Sequence, residues 1–182
     1  MGGLSIIEEI KLIKPSMEYA QEIMDFRREL QAANDADGFA GCSGLEGCET
    51  TEEWLHILDE REKQESRPGE SVPSNAYIAV HLSDNRVVGI IDLRHHIDHP
   101  ILGVWGGHMG YSVRPSERGK GYAKEMLRLN LQNCRERKMD KVMITCSREN
   151  IASEKTILAG GGVFEKEVCV DGEYIRRYWI VL

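Results

Sequence analysis

The chain has 182 residues, 41% apolar and 29% charged, which describes one domain of ordinary size that needs no disulfide or metal to hold its core. Thirty acidic against 23 basic residues give a net charge of −7, which disfavours a general nucleic-acid binder and permits a cationic or amine partner. No stretch reaches the roughly 18 apolar residues of a membrane span, and the five scattered cysteines suit reduced thiols in a cytoplasm.

Met1 to Ser5 fits neither a signal peptide nor a myristoylation site, since Ile6 stands where the latter needs Ser or Thr. Residues 6–14 read as a first strand, ended by Pro15, with Ser16 placed to cap a helix. Tyr19, Ile23, Phe26 and Leu30 then form one apolar helical face. Residues 34–47 break into Gly, Asp, Asn and Ser. Thr50 and Glu53 make a capping box for a second helix carrying Trp54, Ile57 and Leu58. Residues 66–75 hold two prolines and a glycine and form a loop. Residues 76–82 and 87–93 flank a polar turn as a hairpin. Residues 94–107 are irregular, and 108–113 is a short strand stopped at Pro115. A helix over 119–138 turns Ala123, Met126, Leu127, Leu131 and Cys134 inward. Residues 141–146 read as a buried strand and 150–160 as a helix stopped by three glycines. Residues 163–170 and 174–181 form a second hairpin around Asp171-Gly172. The order predicts an α+β fold in a single domain over 1–182, with a mixed, mostly antiparallel central sheet flanked by helices. Strands 108–113 and 141–146 are expected to run parallel through a right-handed crossover.

The chemistry concentrates in 108–123. A strand ends at Val113, and a helix opens across Gly119 and Gly121. Glycines allow close backbone approach, and the free N–H groups of a helix start attract anions such as a pyrophosphate. Arg118 and Lys120 add charge. Neither a P-loop nor a Gly-x-Gly-x-x-Gly dinucleotide fingerprint is present. His95, His96 and His99 read better as a substrate-side loop than as a metal site. Cys42 and Cys48 belong to a flexible Gly-rich loop, and Cys146 is read as buried packing. Asp35, Asp37, Glu46, Glu49, Asp92 and Asp98 give the substrate side an acidic tint, although solvated loop charges are the plainer reading.

Arg118-Gly-Lys-Gly-Tyr-Ala123 after Val113-Arg-Pro115, followed by Asn150-Ile-Ala-Ser153, the glycine run and Val163-Phe164, resembles the signature of the GCN5-related N-acetyltransferases (GNAT). The resemblance covers essentially the whole chain. It implies the acyl-CoA N-acyltransferase fold, acetyl-CoA as acetyl donor, no metal, and a small-molecule or peptide amine as acceptor. Nucleic acid and membrane are not implied as partners, and a homodimer is compatible with it. By position in the family pattern, the backbone of Tyr111, Ser112 and Val113 would pair with the pantetheine arm. Arg118, Gly119, Lys120, Gly121, Tyr122, Ala123 and Lys124 would hold the pyrophosphate, and Asn150 and Ser153 would face the same cleft. The family splays the strand at 108–113 from that at 141–146, and an N–H near Val113 would meet the thioester oxygen. A lysine-like amine needs about 4.6 kcal/mol to lose its proton at pH 7. His108 is the candidate base on the strand where the family places one, with a strand histidine bonded to a neighbour as the equal alternative. Thr145 replaces a Glu used by other members. The family's acid Tyr falls at Ile157, which leaves Tyr111, Tyr174 or no dedicated acid. That departure opens a second reading, an acyl-CoA-binding regulatory or degenerate domain without transfer.

Overall fold

The structure, a computed structural model, describes residues 9–36 and 38–182. The first three residues of the predicted opening strand, and Asp37, lie outside them. The strands are β1 (Ile10–Ile13), β2 (Ser74–His81), β3 (Val87–Arg94), β4 (Tyr111–Val113), β5 (Lys141–Ser147), β6 (Val163–Val170) and β7 (Glu173–Val181). The α-helices are α1 (Ala20–Ala33), α2 (Thr51–Lys63), α3 (Tyr122–Glu136) and α4 (Ile151–Ala159). A π-helical turn over Leu102–Gly106 interrupts the segment expected to be irregular.

The strands form two sheets, ordered β1-β2-β3-β4 and β5-β7-β6. Every named pairing among the described residues is antiparallel. The expected parallel pairing of β4 with β5 is replaced by a tie at one position, where His108 bonds both the carbonyl and the N–H of Met143. The expected strand 108–113 also shortens to three residues, because 108–110 leave the ladder for reasons given below.

Alternation along β2 and β3 sends side chains to two cores. Ile78, Val80, Val87 and Ile90 meet Ile23, Phe26, Leu30 and Trp54 of α1 and α2. Ala79, Val88, Ile91 and Leu93 meet Met126, Leu127, Leu131 and Cys134 of α3, together with Ile144, Ile157 and Tyr178 of the second sheet and α4. The predicted capping box at α2 is present in altered form. The Thr50 hydroxyl accepts the Glu53 N–H, and the Glu53 carboxylate accepts the N–H of Glu49 rather than of Thr50.

Residues 38–48, expected as a loose loop, are packed. Cys42, Leu45 and Cys48 are buried, the Trp54 indole donates to the Cys42 carbonyl, and Arg27 donates to the carbonyls of Leu45 and Glu46. The Ser112 hydroxyl bonds the Gly38 and Ala40 carbonyls, tying this segment to β4. The approach is so close that a Cβ on Gly41 would lie 2.1 Å from the Gly110 carbonyl oxygen.

Gly41 and Gly172 both have positive φ, +73° and +86°, but a Cβ at Gly172 meets nothing. Gly172→Ala should therefore cost only the left-handed strain of about 1–2 kcal/mol. Gly41→Ala should cost about 2 kcal/mol more, because the loop must move off β4. Urea unfolding of the two variants measures the difference, and equal losses would show that the loop does not bear on β4.

Candidate active site

The register of the two sheets decides which backbone groups face the space between them. Arg114 donates to the Val88 carbonyl and Asp92 to that of Gly110, so even-numbered residues of β4 bond β3. The peptide groups of Tyr111 and Val113 then point the other way. On β5, the bonds from Leu182 to Asp140 and from Arg148 to Tyr174 extend the β7 ladder through even-numbered residues, so Met143 and Thr145 point toward β4. The result is a wedge with two strand edges as its walls.

His108 closes the narrow end. Its N–H donates to the Met143 carbonyl, and its Nδ1 accepts the Met143 N–H, each at 2.8 Å. A ring nitrogen that accepts a backbone N–H carries no proton, so the neutral ring is protonated at Nε2. Burial lowers the His108 pKa from 6.5 to about 4. The expectation of a general base at His108 is corrected accordingly. The lone pair that would take the amine's proton is already engaged, and Trp179 packs against the ring.

The wide end of the wedge opens on the glycine turn. Gly121 is the N-cap of α3 with φ +89°, and no side chain caps this helix. A Cβ on Gly119 or Gly121 would meet nothing within 4 Å, so the turn is an open cradle at the start of α3, where helix N–H groups attract an anion. Arg118 donates to the Val113 carbonyl and pairs with Asp35, while Lys120 pairs with Glu117. Both cations are thus held at the cradle by carboxylates, of which the exposed Asp35 is one that an anion can replace at little cost. Such an open, uncapped and cation-flanked turn fits the pyrophosphate of acetyl-CoA, and two facing strand edges fit its amide-bearing arm.

Along the wedge, the Tyr111 hydroxyl reaches α4, 2.8 Å from the Ser153 hydroxyl. Burial pushes its pKa up to about 12, against the lowering effect of the Ser153 hydrogen bond. Asn150 caps α4 by accepting the Ser153 N–H at 3.0 Å, so these three predicted residues come together. Ile157 is fully buried in the core, and Tyr174 is exposed in the closing hairpin, stacked under Arg148. The histidines at 95, 96 and 99 go to separate partners, namely Asn75, Ser66 and the Ile101 N–H. Asp92, expected among loop charges, lies in β3 and is 3% exposed. Arg94, Asn130 and Arg114 are site-shaping residues that the sequence reading missed.

The model of the "Acetyltransferase (GNAT) domain" matches residues 21–162. No curated protein matches the chain by sequence. Among solved structures, the chain is similar to the acetyl transferase from Salmonella typhimurium that modifies the N-terminal serine of ribosomal protein L7/L12. That match has 13% identity, covers 95% of both chains and has a TM-score of 0.64. It is also similar to the microcin C7 self-immunity acetyltransferase in complex with acetyl-CoA and AMP, at 15% identity, 96% and 93% coverage, and a TM-score of 0.61. A third is the spermidine/spermine N-acetyltransferase of Vibrio cholerae, at 15% identity, 95% coverage of each chain, and a TM-score of 0.58.

Two predictions follow from this geometry. Asn and Asp both tolerate a left-handed backbone, and Asp at an N-cap favours the helix dipole. Gly121→Asp should therefore be at least as stable as Gly121→Asn, yet bind acetyl-CoA at least about tenfold more weakly, because its charge opposes the pyrophosphate. Equal affinities in calorimetry would remove the cradle assignment. The second concerns acid stability. A folded pKa below the unfolded value means that the unfolded chain binds the extra proton, so stability is full above pH 6.5 and falls as pH drops toward about 4. That interval amounts to about 3 kcal/mol at 1.36 kcal/mol per pH unit. His108→Asn, whose Oδ1 can accept the Met143 N–H without titrating, should lose this contribution to the pH dependence of unfolding.

Proposed function

The chain belongs to the GNAT acetyltransferase family, and on that premise we propose that it transfers acetyl from acetyl-CoA to a primary amine by direct attack in a ternary complex. The observation that carries this reading is the wedge between β4 and β5 with an open, uncapped glycine turn at its mouth. The peptide groups of Tyr111, Val113 and Thr145 pair with the pantetheine arm as strand edges do. Residues 119–124 with Arg118 and Lys120 hold the pyrophosphate, its oxygens taking the place of Asp35.

Acetyl-CoA supplies a thioester already activated toward amines. One edge N–H of β4, that of Tyr111, then donates to the carbonyl oxygen as negative charge grows on it. No base is assigned to His108. The amine gives its proton to water, and the wedge works by positioning. The acceptor enters from the side of α1, where a recess of about 480 Å³ has Asp35 and Glu46 in its lining, groups suited to a cationic amine. The leaving thiolate meets the Tyr111 hydroxyl. With a pKa of about 12, that phenol keeps its proton against a thiol of about 8.5, so it stabilises the thiolate by a hydrogen bond and does not protonate it. The amine acceptors named for the Vibrio and Salmonella proteins, and the acetyl-CoA named for the microcin protein, support this choice of acceptor and donor. A cytoplasmic setting, with Cys42, Cys48, Cys134 and Cys146 buried as free thiols, completes the proposal.

The test is thiol release from acetyl-CoA over polyamines, small primary amines and peptides with a free N-terminal serine. Release that requires one of these acceptors is the expected result. Tyr111→Phe should lower kcat about tenfold to a hundredfold, the worth of one hydrogen bond to a charged group, with the acetyl-CoA KM little changed. His108→Asn should keep the wild-type pH–rate profile. Tight acetyl-CoA binding with no release by any acceptor would leave a binding domain in place of an enzyme.

A further inference from the structure

The ladder between β3 and β4 comes apart at one end, and three of the groups it frees take other partners. An antiparallel rung normally exchanges two bonds. At the Asp92/Gly110 rung, the Asp92 N–H still donates to the Gly110 carbonyl at 3.1 Å. The Gly110 N–H, however, donates to the Asp92 carboxylate at 2.6 Å. The Asp92 carbonyl accepts instead the side-chain amide of Asn130 on α3, at 3.0 Å. At the next rung, the Arg94 N–H donates to the His108 carbonyl at 2.7 Å, while the His108 N–H has gone to Met143 on β5. The second oxygen of Asp92 pairs with Arg94 at 3.1 Å. Arg94 in turn donates to the carbonyls of Gly106 and Gly107, just ahead of the freed segment.

Asp92 is 3% exposed and Asn130 is fully buried. A buried carboxylate and a buried amide cost several kcal/mol unless each polar atom is used. Apolar residues would fill the same space at lower cost, but would take these partners from the Gly110 N–H and the Asp92 carbonyl. The pair's distinctive effect is on the backbone of 108–110.

We propose that Asp92 and Asn130 are positioning residues for acetyl transfer, replacing one bond of the Asp92/Gly110 rung with side-chain bonds that hold 108–110 in a half-paired path and lead the Tyr111 edge of β4 into the wedge. This rests on the transfer reading above. The narrow end, where the reacting carbonyl sits, depends on them. The pyrophosphate cradle at the mouth, held by its own turn and by α3, does not. Loss of either residue therefore lowers kcat more than it lowers acetyl-CoA affinity.

The experiment compares wild type with Asp92→Val, Asn130→Leu and the conservative Asp92→Asn, which keeps an acceptor oxygen for Gly110. Hydrogen exchange is read at residues 108–111 and at 126–134 of α3. Acetyl-CoA Kd is measured by calorimetry and kcat by thiol release. The expected result is at least tenfold faster exchange at 108–111 with α3 unchanged, kcat down at least tenfold, Kd within threefold, and partial recovery of both readouts in Asp92→Asn. Unchanged exchange at 108–111 overturns the proposal, as does a loss of kcat that tracks Kd and global stability together. If wild type neither binds acetyl-CoA nor releases thiol, the transfer reading falls by itself, and the exchange data still decide whether these residues hold the segment.

Discussion

One residue joins the two sheets at the apex of the wedge. Both backbone groups of Met143 are satisfied by His108, one through its peptide N–H and one through its ring. An ordinary parallel ladder would spread those two bonds over different residues of the partner strand and would continue past them. Here the imidazole supplies the acceptor that the backbone withholds, so pairing begins and ends at a single position. Beyond it the strands diverge without a buried amide left unsatisfied, which would cost about 1–3 kcal/mol. The wedge is the consequence. A space between strands survives folding only where one end is tied and the other is wet.

The wide end is fixed by charge. Arg114 follows β4 directly, its side chain 5% exposed, and bonds Glu22 and Glu29 of α1. Glu22 also accepts the Val87 N–H, and Glu29 accepts from Ser116. Helix α1, strand β3 and the turn leading to the cradle are thereby one unit. Removing the arginine would strand two carboxylates at a packed interface, whereas the pair of Arg118 with Asp35 is exposed and exchangeable. The same ion-pair chemistry holds the scaffold where it is buried and yields to a ligand where it is wet.

Much of this was legible in the sequence because it is written in local signals. The helical face of α3, the Thr50 cap, the Asp171-Gly172 turn and the paired glycines before α3 are each decided within a few residues. What escaped is non-local. Asn130 lies three and four positions from Leu127 and Met126, on the apolar face of α3. A polar residue on such a stripe is the one signal that was available, but nothing in the sequence says that its partner is the carbonyl of Asp92. Asp92 itself has no apolar period to betray it as a strand residue turned inward. His108 was open between two roles because the choice rests on which neighbour takes its lone pair, and that neighbour is 35 residues away.

The departure at Ile157 acquires a physical sense from the same packing. A tyrosine there would have to bring its hydroxyl out of a core in which Ile157 is fully buried, against Gly162, where even a Cβ would clash with its side chain and lie 2.9 Å from its carbonyl oxygen. The glycine run that stops α4 folds back onto this side chain, with the Gly162 N–H returning to the Ile157 carbonyl. Position 157 is thus committed to closing α4 against the sheet. The wedge nevertheless has a phenol on the first turn of that helix, delivered from β4 by Tyr111 and held at Ser153. On the proposed transfer reading, a hydroxyl offered from the opposite wall would serve a departing thiolate by the same electrostatics. What matters for that interaction is a protonated donor within reach of the sulfur, and the raised pKa of a buried phenol guarantees the proton at any physiological pH.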